Sequence, residues 1–361
     1  MNATGRNDTG RAGAVRDAVV RLRRSGLLAA TVPTRLGGPE LPASVIAEVC
    51  RILASGDGSL GQIPQSHMTF SRWLFTGSHP HDEERWARRL LDGTLIANAQ
   101  AEETPVVLEN NRLNGRKVFC TGSAYADVLA VTARHPGQDD QSLVVFLPVD
   151  APGVTVLDDW TALGQEYTTS GTVILQDVEV GADDIRHTSV SASVSRSVSR
   201  SSPLTPPAYG AFAQLLHTAI DVGISGSALD AALEIAHSRD PDPLTAHVAG
   251  ELVAQQFAAE AVLEKAGRSV DEVWSGTAPG ASASLDVAAA KAVTGALTVD
   301  LASRIFELTG TGGATGDRGQ ALARHWRDLR THTLHDRRRE KLTVIGRAAL
   351  SGDDPVPGRR L

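Results

Sequence analysis

Two cysteines in 361 residues, Cys50 and Cys120, supply no disulfide framework, and neither belongs to a CxxC pair. That scarcity fits a reducing compartment, so the cytoplasm is the expected location. No run of about 18 apolar residues exists to span a bilayer. The polar, glycine-rich start from Met1 to Ala14 lacks the apolar stretch of a signal peptide and reads as a disordered tail. Long blocks of one charge are missing as well. The net charge of −7 is spread along the chain, which favours solubility and argues against nucleic acid as a partner. Aromatic residues make up only 4% of the sequence, while 34 glycines and many alanines stand in their place. The length suits two or three packed units rather than one core.

What is present changes period twice. Residues Arg11 to Ser25 carry Ala14, Val15, Ala18, Val19 and Leu22 at helical spacing, with Gly26 as a C-cap. Further helices are expected over Ala43 to Ala54, from near Pro64 with His67 in its first turn, and from about Asp82 to Leu91. Residues 1–93 thus read as a helical domain. From Leu95 short β-type runs recur between Gly, Asn, Asp and Pro: Leu95–Ala99, Leu113–Phe119, Val128–Ala133, Leu143–Pro148, Val154–Leu157 and Gly171–Leu175. Such spacing predicts a small barrel or sandwich of roughly 85 residues, assigned to 94–187. Its turns Thr121-Gly122-Ser123 and Thr168-Thr169-Ser170-Gly171 place hydroxyls beside glycine, which suits either a flat ligand against the backbone or ordinary turns. Serine at nearly every second position marks 188–207 as a mobile linker. In 208–361 the helical period returns over Tyr209–His237, Pro243 to about Trp274, Ala281–Leu308, about Gln320 to Leu334 and Lys341–Leu350, an alanine-rich bundle.

The densest chemistry lies in Arg324–Asp336, which holds His325, His332, His335, Asp336 and Trp326. On a continuous helix His332 and His335 share a face, as do His332 and Asp336, so two imidazoles and a carboxylate converge. Imidazole is the side chain best suited to proton exchange near neutral pH. The competing reading is a capped helix end with cationic groups against the dipole. A two-histidine, one-carboxylate metal site lacks a second ligand cluster, and no metal is expected. Gly310-Thr311-Gly312-Gly313-Ala314-Thr315-Gly316 follows a helix and breaks GxGxxG spacing, which excludes a dinucleotide loop.

The order of helical domain, central β-barrel and C-terminal helical bundle resembles the acyl-CoA dehydrogenase superfamily over about Leu27 to Leu350. The motif pair DDWxxxGQ, at Asp158–Gln165, and HWRDxRTHTLHD, at His325–Asp336, together with Ala289-Ala290-Lys291-Ala292, is similar to its flavin-dependent monooxygenase branch, which includes dibenzothiophene monooxygenase, the sulfur-acquisition oxidoreductases and amine N-hydroxylases. The resemblance implies a mainly α fold with a central barrel. It also implies a homo-oligomer, expected as a tetramer, that takes reduced flavin, FMN or FAD, from a separate NAD(P)H flavin reductase; the lack of a recognisable adenine-binding motif leans slightly to FMN. Such an enzyme uses O2 to form a C4a-hydroperoxyflavin that oxygenates the sulfur or nitrogen of a small molecule.

The same resemblance implies site residues. Flavin contacts fall on Asn98, Gln100, Thr121, Gly122, Trp160 and Gln165, with Thr121 beside the flavin N5 and Trp160 shielding the ring. Gly312 and Gly313 match a loop that approaches a neighbouring subunit's cofactor, and His67, His332 and His335 match active-site histidines. Asp336 falls where dehydrogenases of the family carry a glutamate base. The sequence departs at Ala101, in place of a polar residue, and at Arg337-Arg338-Arg339-Glu340, in place of Pro-Val-x-Trp. Two other readings therefore stand beside the first: an FAD-dependent acyl-CoA dehydrogenase with Asp336 as base, and a non-catalytic member of the fold.

Overall fold

The helical period gives way to strands at Ile96 and returns at Tyr209. The computed structural model describes residues 5–75, 80–137, 142–187, 207–238, 242–352 and 354–355. The serine-rich linker expected at 188–207 lies outside the described residues except for Pro207. The chain separates into two compact units.

The first unit comprises Met1–Leu41, Ser66–Thr161 and Tyr167–Pro207. It holds the helices α1 (Gly5–Arg24), α4 (Gln65–Trp73, from its second residue) and α5 (Pro80–Leu91). Its strands are β1 (Ile96–Ala99), β2 (Val107–Glu109), β3 (Arg112–Lys117), β4 (Val128–Arg134), β5 (Ser142–Pro148), β6 (Val154–Val156), β7 (Val173–Glu179) and β8 (Ile185–His187). Among the described residues they form one mixed sheet in the order β6-β7-β3-β2-β4-β5-β8, with β1 pairing parallel to β4. The sheet ends at β6 and β8, so closure into the expected barrel is not seen among these residues.

β2 and β8, which periodicity did not anticipate, are three residues each, too short to show alternation. β4 is buried over six consecutive residues, the pattern of a strand covered on both faces. One face packs the sheet's own core of Leu108, Leu129, Val131 and Val145. The other presents Phe146, which meets Phe70 of α4 edge-on at 6.0 Å and Trp86 of α5 at 5.3 Å. Buried Lys117 is satisfied by ion pairing to Glu102 and by Thr132 Oγ1 at 2.8 Å, a structural use of charge.

The second unit comprises Pro42–Gln65, Ala162–Glu166 and Ala208–Leu361. Its helices are α2 (Ala43–Gly56), α3 (Gly58–Gln62), α6 (Tyr209–His237), α7 (Pro243–Trp274), α8 (Gly280–Gly313), α9 (Gly316–His332) and α10 (Arg338–Ser351). α3 lies in the glycine-containing stretch between the helices expected over Ala43 to Ala54 and from near Pro64. Asp57 makes it possible by accepting hydrogen bonds from the Ser59 and Leu60 amides at 2.8 and 3.4 Å. α7 starts the same way: Asp242 caps Leu244 and Thr245, and Pro243 occupies the first turn. Glycine sets the approach of α6 to α2, since a Cβ on Gly223 would lie 2.2 Å from the Arg51 carbonyl oxygen. α8 runs past its expected end, but Gly310 breaks it with φ 55° and ψ −159°, a conformation open to glycine. No helix among the described residues is long and apolar enough to cross a membrane.

Candidate active site

The histidine motif does not lie on one continuous helix. α9 ends at His332, and 333–336 form a turn in which the His335 amide donates to the His332 carbonyl at 3.1 Å. The expected single-face convergence of His332 with Asp336 therefore fails, because the helix stops between them. Asp336 instead forms a buried ion pair with Lys341 of α10 at 2.7 Å. Beside that pair, Arg338 donates to the Ala292 carbonyl at 2.7 Å and ties α10 to α8.

The partners of His332 come from helices the motif does not contain. His332 Nδ1 lies 2.6 Å from Asp221 Oδ1, and Lys291 Nζ lies 2.8 Å from Asp221 Oδ2. His332 Nε2 lies 3.0 Å from His217 Nδ1, and the His217 ring lies against His335 with centroids 4.1 Å apart and planes tilted by 31°. His217, Asp221, Lys291 and His332 are buried, while His335 is exposed. Imidazoles thus run from an exposed ring to a fully buried carboxylate. Burial pushes the Asp221 carboxyl up, but Lys291 and His332 more than offset this and hold it at about 2. Burial, then the neighbouring His335, His332, Lys291 and Lys341, hold His217 well below the usual imidazole range. Both ring nitrogens of His332 face a hydrogen-bond partner, Asp221 on one side and His217 on the other.

A second contact in this unit joins the two sequence motifs. The loop 162–166 lies against α9 so closely that a Cβ on Gly164 would fall 2.3 Å from the Arg327 carbonyl carbon. Gln165, at φ 59°, donates its amide to Asp328 Oδ1 at 2.6 Å. GQ and HWRD are therefore two halves of one contact.

The first unit gathers most of the expected flavin-contact residues. The Asn98 amide donates to the Thr121 carbonyl at 3.3 Å, and the Gly122 amide donates to the Thr168 carbonyl at 2.8 Å. Thr121 Oγ1 shares a hydrogen bond with Ser170 Oγ at 2.8 Å. Phe119, at φ 54° and 60% exposed, meets half-buried Trp160 edge-on at 6.2 Å. Asn98 Oδ1 and Thr169 Oγ1 are buried without a hydrogen-bond partner among the described residues. Gln100 uses its carbonyl inside the sheet, accepting from Thr132 Oγ1 at 2.9 Å.

Residues 94–178 match the family model "Acyl-CoA dehydrogenase, middle domain", and residues 215–339 match "Acyl-CoA dehydrogenase, C-terminal domain". A dibenzothiophene monooxygenase from Mycolicibacterium goodii is 30% identical over 93% of this chain and 88% of its own. A probable FMNH2-dependent monooxygenase, SfnC, from Pseudomonas putida is 26% identical over 93% and 88%. The FMN-bound TdsC structure from Paenibacillus sp. A11-2 superposes with a TM-score of 0.84 at 29% identity, covering 96% of this chain and 92% of that one. The chain belongs to the acyl-CoA dehydrogenase superfamily, in its flavin-dependent monooxygenase branch.

Within this monooxygenase, His67 stands apart from the histidine cluster. It belongs to the first unit, wholly buried, where its Nε2 donates to the Leu28 carbonyl at 2.7 Å and its Nδ1 accepts from the Ile96 amide at 3.1 Å. Burial lowers it to about 4, against the raising effect of the Leu28 bond. Gly312 is exposed near the end of α8, and Gly313 packs on Thr309. Sequence reasoning missed His217 and Asp221. Their signal was a histidine and an aspartate four residues apart on an otherwise apolar segment, where buried polar groups demand partners.

Proposed function

We propose that this monooxygenase is the oxygenase of a two-component system, taking reduced FMN from a separate NAD(P)H flavin reductase and using O2 to oxygenate the sulfur or nitrogen of a small molecule. The names of the relatives support the flavin and the sulfur chemistry. The observation that carries the reading is the row of His335, His217 and His332 ending on Asp221, a proton-handling array with one exposed end. The unpartnered Asn98 Oδ1 and Thr169 Oγ1, beside the Phe119–Trp160 pair, fit a flat ring that brings its own hydrogen-bonding edge.

When bound, reduced flavin supplies the electrons that activate O2. Asn98, Thr121, Gly122 and Trp160 would hold and cover it, with Gln100 positioning the backbone around them. His335 exchanges the proton, while Asp336, committed to Lys341, fixes the turn that carries His335. That commitment also disfavours the dehydrogenase alternative, which needs Asp336 as an available base. The same reading makes the protein a cytoplasmic homotetramer in which Gly312 and Gly313 approach a neighbour's flavin, a size that sedimentation would measure.

The test adds a flavin reductase, NADH and O2, with dibenzothiophene as the sulfur probe and a primary amine as the nitrogen probe. Oxygenated product formed in step with NADH is expected. Absence of affinity for FMN in either redox state would remove the proposal. Bleaching of bound FAD by an acyl-CoA without oxygen would favour the dehydrogenase.

A further inference from the structure

The hydrogen bonds around Asp221 have a direction. An ionised carboxylate only accepts, so both groups that face it must donate: Lys291 to Oδ2 at 2.8 Å and His332 Nδ1–H to Oδ1 at 2.6 Å. His332 therefore carries its hydrogen on Nδ1, and its Nε2, 3.0 Å from His217 Nδ1, shares a single hydrogen with that atom. With the shared hydrogen on His217, the remaining nitrogen of His217 is a lone pair. A carboxylate that fixes the tautomer of a neighbouring imidazole is a known way of setting which ring nitrogen is basic.

We propose that Asp221, His332 and His217 form a directed proton line whose open end is the Nε2 lone pair of His217, and that the Asp221 carboxylate sets the direction as a pure acceptor, with Lys291 holding its other oxygen in place. A proton arriving at His217 Nε2 displaces the shared proton from His217 Nδ1 onto His332 Nε2. His217 stays neutral, and the positive charge comes to rest on His332 against Asp221. The reverse shift returns the proton, so no reactant is consumed. His335, exposed and with its ring against that of His217, links the line to solvent. The charged groups around His217 are Lys291 from α8, Lys341 from α10, and His332 and His335 from the end of α9 and its turn, all disfavouring a resting charge on His217 itself. Asp221 and Lys291 are positioning residues in this scheme. The inference rests on the monooxygenase reading only for the source and destination of the proton.

The line is read by 15N NMR of histidine-labelled protein without flavin, which reports the tautomer of each ring. In the wild type His217 should carry its hydrogen on Nδ1 with Nε2 bare, and His332 should carry one on Nδ1. The opposite pattern, or a doubly protonated His217 at neutral pH, overturns the proposal with no variant needed. In Asp221→Asn the one amide oxygen is claimed by the Lys291 ammonium, so the amide NH2 faces His332 Nδ1. Both imidazoles should then flip, leaving His217 Nε2 protonated. Lys291→Gln keeps the carboxylate and should keep the wild-type tautomers. Tautomers that stay unflipped in folded Asp221→Asn refute the direction of the line. With reductase, FMN and dibenzothiophene, Asp221→Asn should bind FMN as before and lose product per NADH by roughly 10²–10⁴-fold. Unchanged coupling alongside flipped tautomers would strip the line of its role. A wild type that binds no flavin yet shows the expected tautomers defeats the functional reading and leaves the proton line standing.

Discussion

His335 is the exposed imidazole of the cluster, so its removal tests proton supply without opening the buried carboxylate. His335→Ala should bind FMN with unchanged affinity but lose product by roughly 10²–10⁴-fold, releasing peroxide as oxygen is still consumed. Product and peroxide per NADH are the measurements; a helix-end histidine without a role would leave coupling intact and change stability by about 1 kcal/mol or less. Lys341 tests a different property. Its side chain and that of Asp336 are 3% and 2% exposed, so Lys341→Met strands a buried anion and should lower unfolding stability by roughly 3–5 kcal/mol in a denaturant titration. A loss below about 1 kcal/mol would mean that water reaches Asp336.

At the scale of elements, two contacts decide where the site residues stand. Gly164 lets the loop 162–166 lie on the backbone of α9, and Gln165 then donates to Asp328. Gly164→Ala forces the loop off the helix and breaks that charge-assisted bond, a destabilisation on the order of 2–4 kcal/mol. The shift in denaturant midpoint is the check, and an unchanged midpoint would show that the loop yields freely. The motif pair was visible in the sequence as two separate runs. Their meeting was not, because a bond between residues 163 positions apart leaves no local periodicity. Helices α6 and α7 were legible as long helices, α6 from a nearly continuous apolar segment and α7 from its sustained helical period. α3 was not, because its five residues depend on one capping aspartate rather than on a pattern.

For the whole molecule, buried titratable groups set the response to acid. His67 is held neutral at about 4 against an ordinary 6.5, so the unfolded chain takes up a proton that the native state refuses. Its contribution is complete above pH 6.5 and is lost as pH falls towards 4, roughly 3 kcal/mol in all. His217, also held low by burial, loses stability in the same direction. Asp221 adds a second loss as pH falls from 3.8 towards 2, where its carboxylate is finally protonated. Denaturant midpoints between pH 8 and 4 should therefore decline with acid, beginning near 6.5, and His67→Gln should flatten the upper part of that decline. A wild-type midpoint constant from pH 7 to 5 would contradict the burial of both histidines.

Composition, period and motif determined much by themselves: helices, then short strands, then long helices, and a match specific enough to name a superfamily. These are local or repeated properties, written in neighbouring residues. Periodicity showed six of the eight strands but not how they pair, and the described residues form a sheet ending at β6 and β8. The chemistry of the histidine motif was decided only in three dimensions. A helix that stops at His332 sends Asp336 to Lys341, and buried positions on α6 and α8 bring Asp221, His217 and Lys291 to the imidazole instead. Spacing along one chain segment assumes that its helix continues. Whether it does, and which buried charge answers which ring, depends on desolvation and pairing among residues up to 115 positions apart, and only the packed helices settle that.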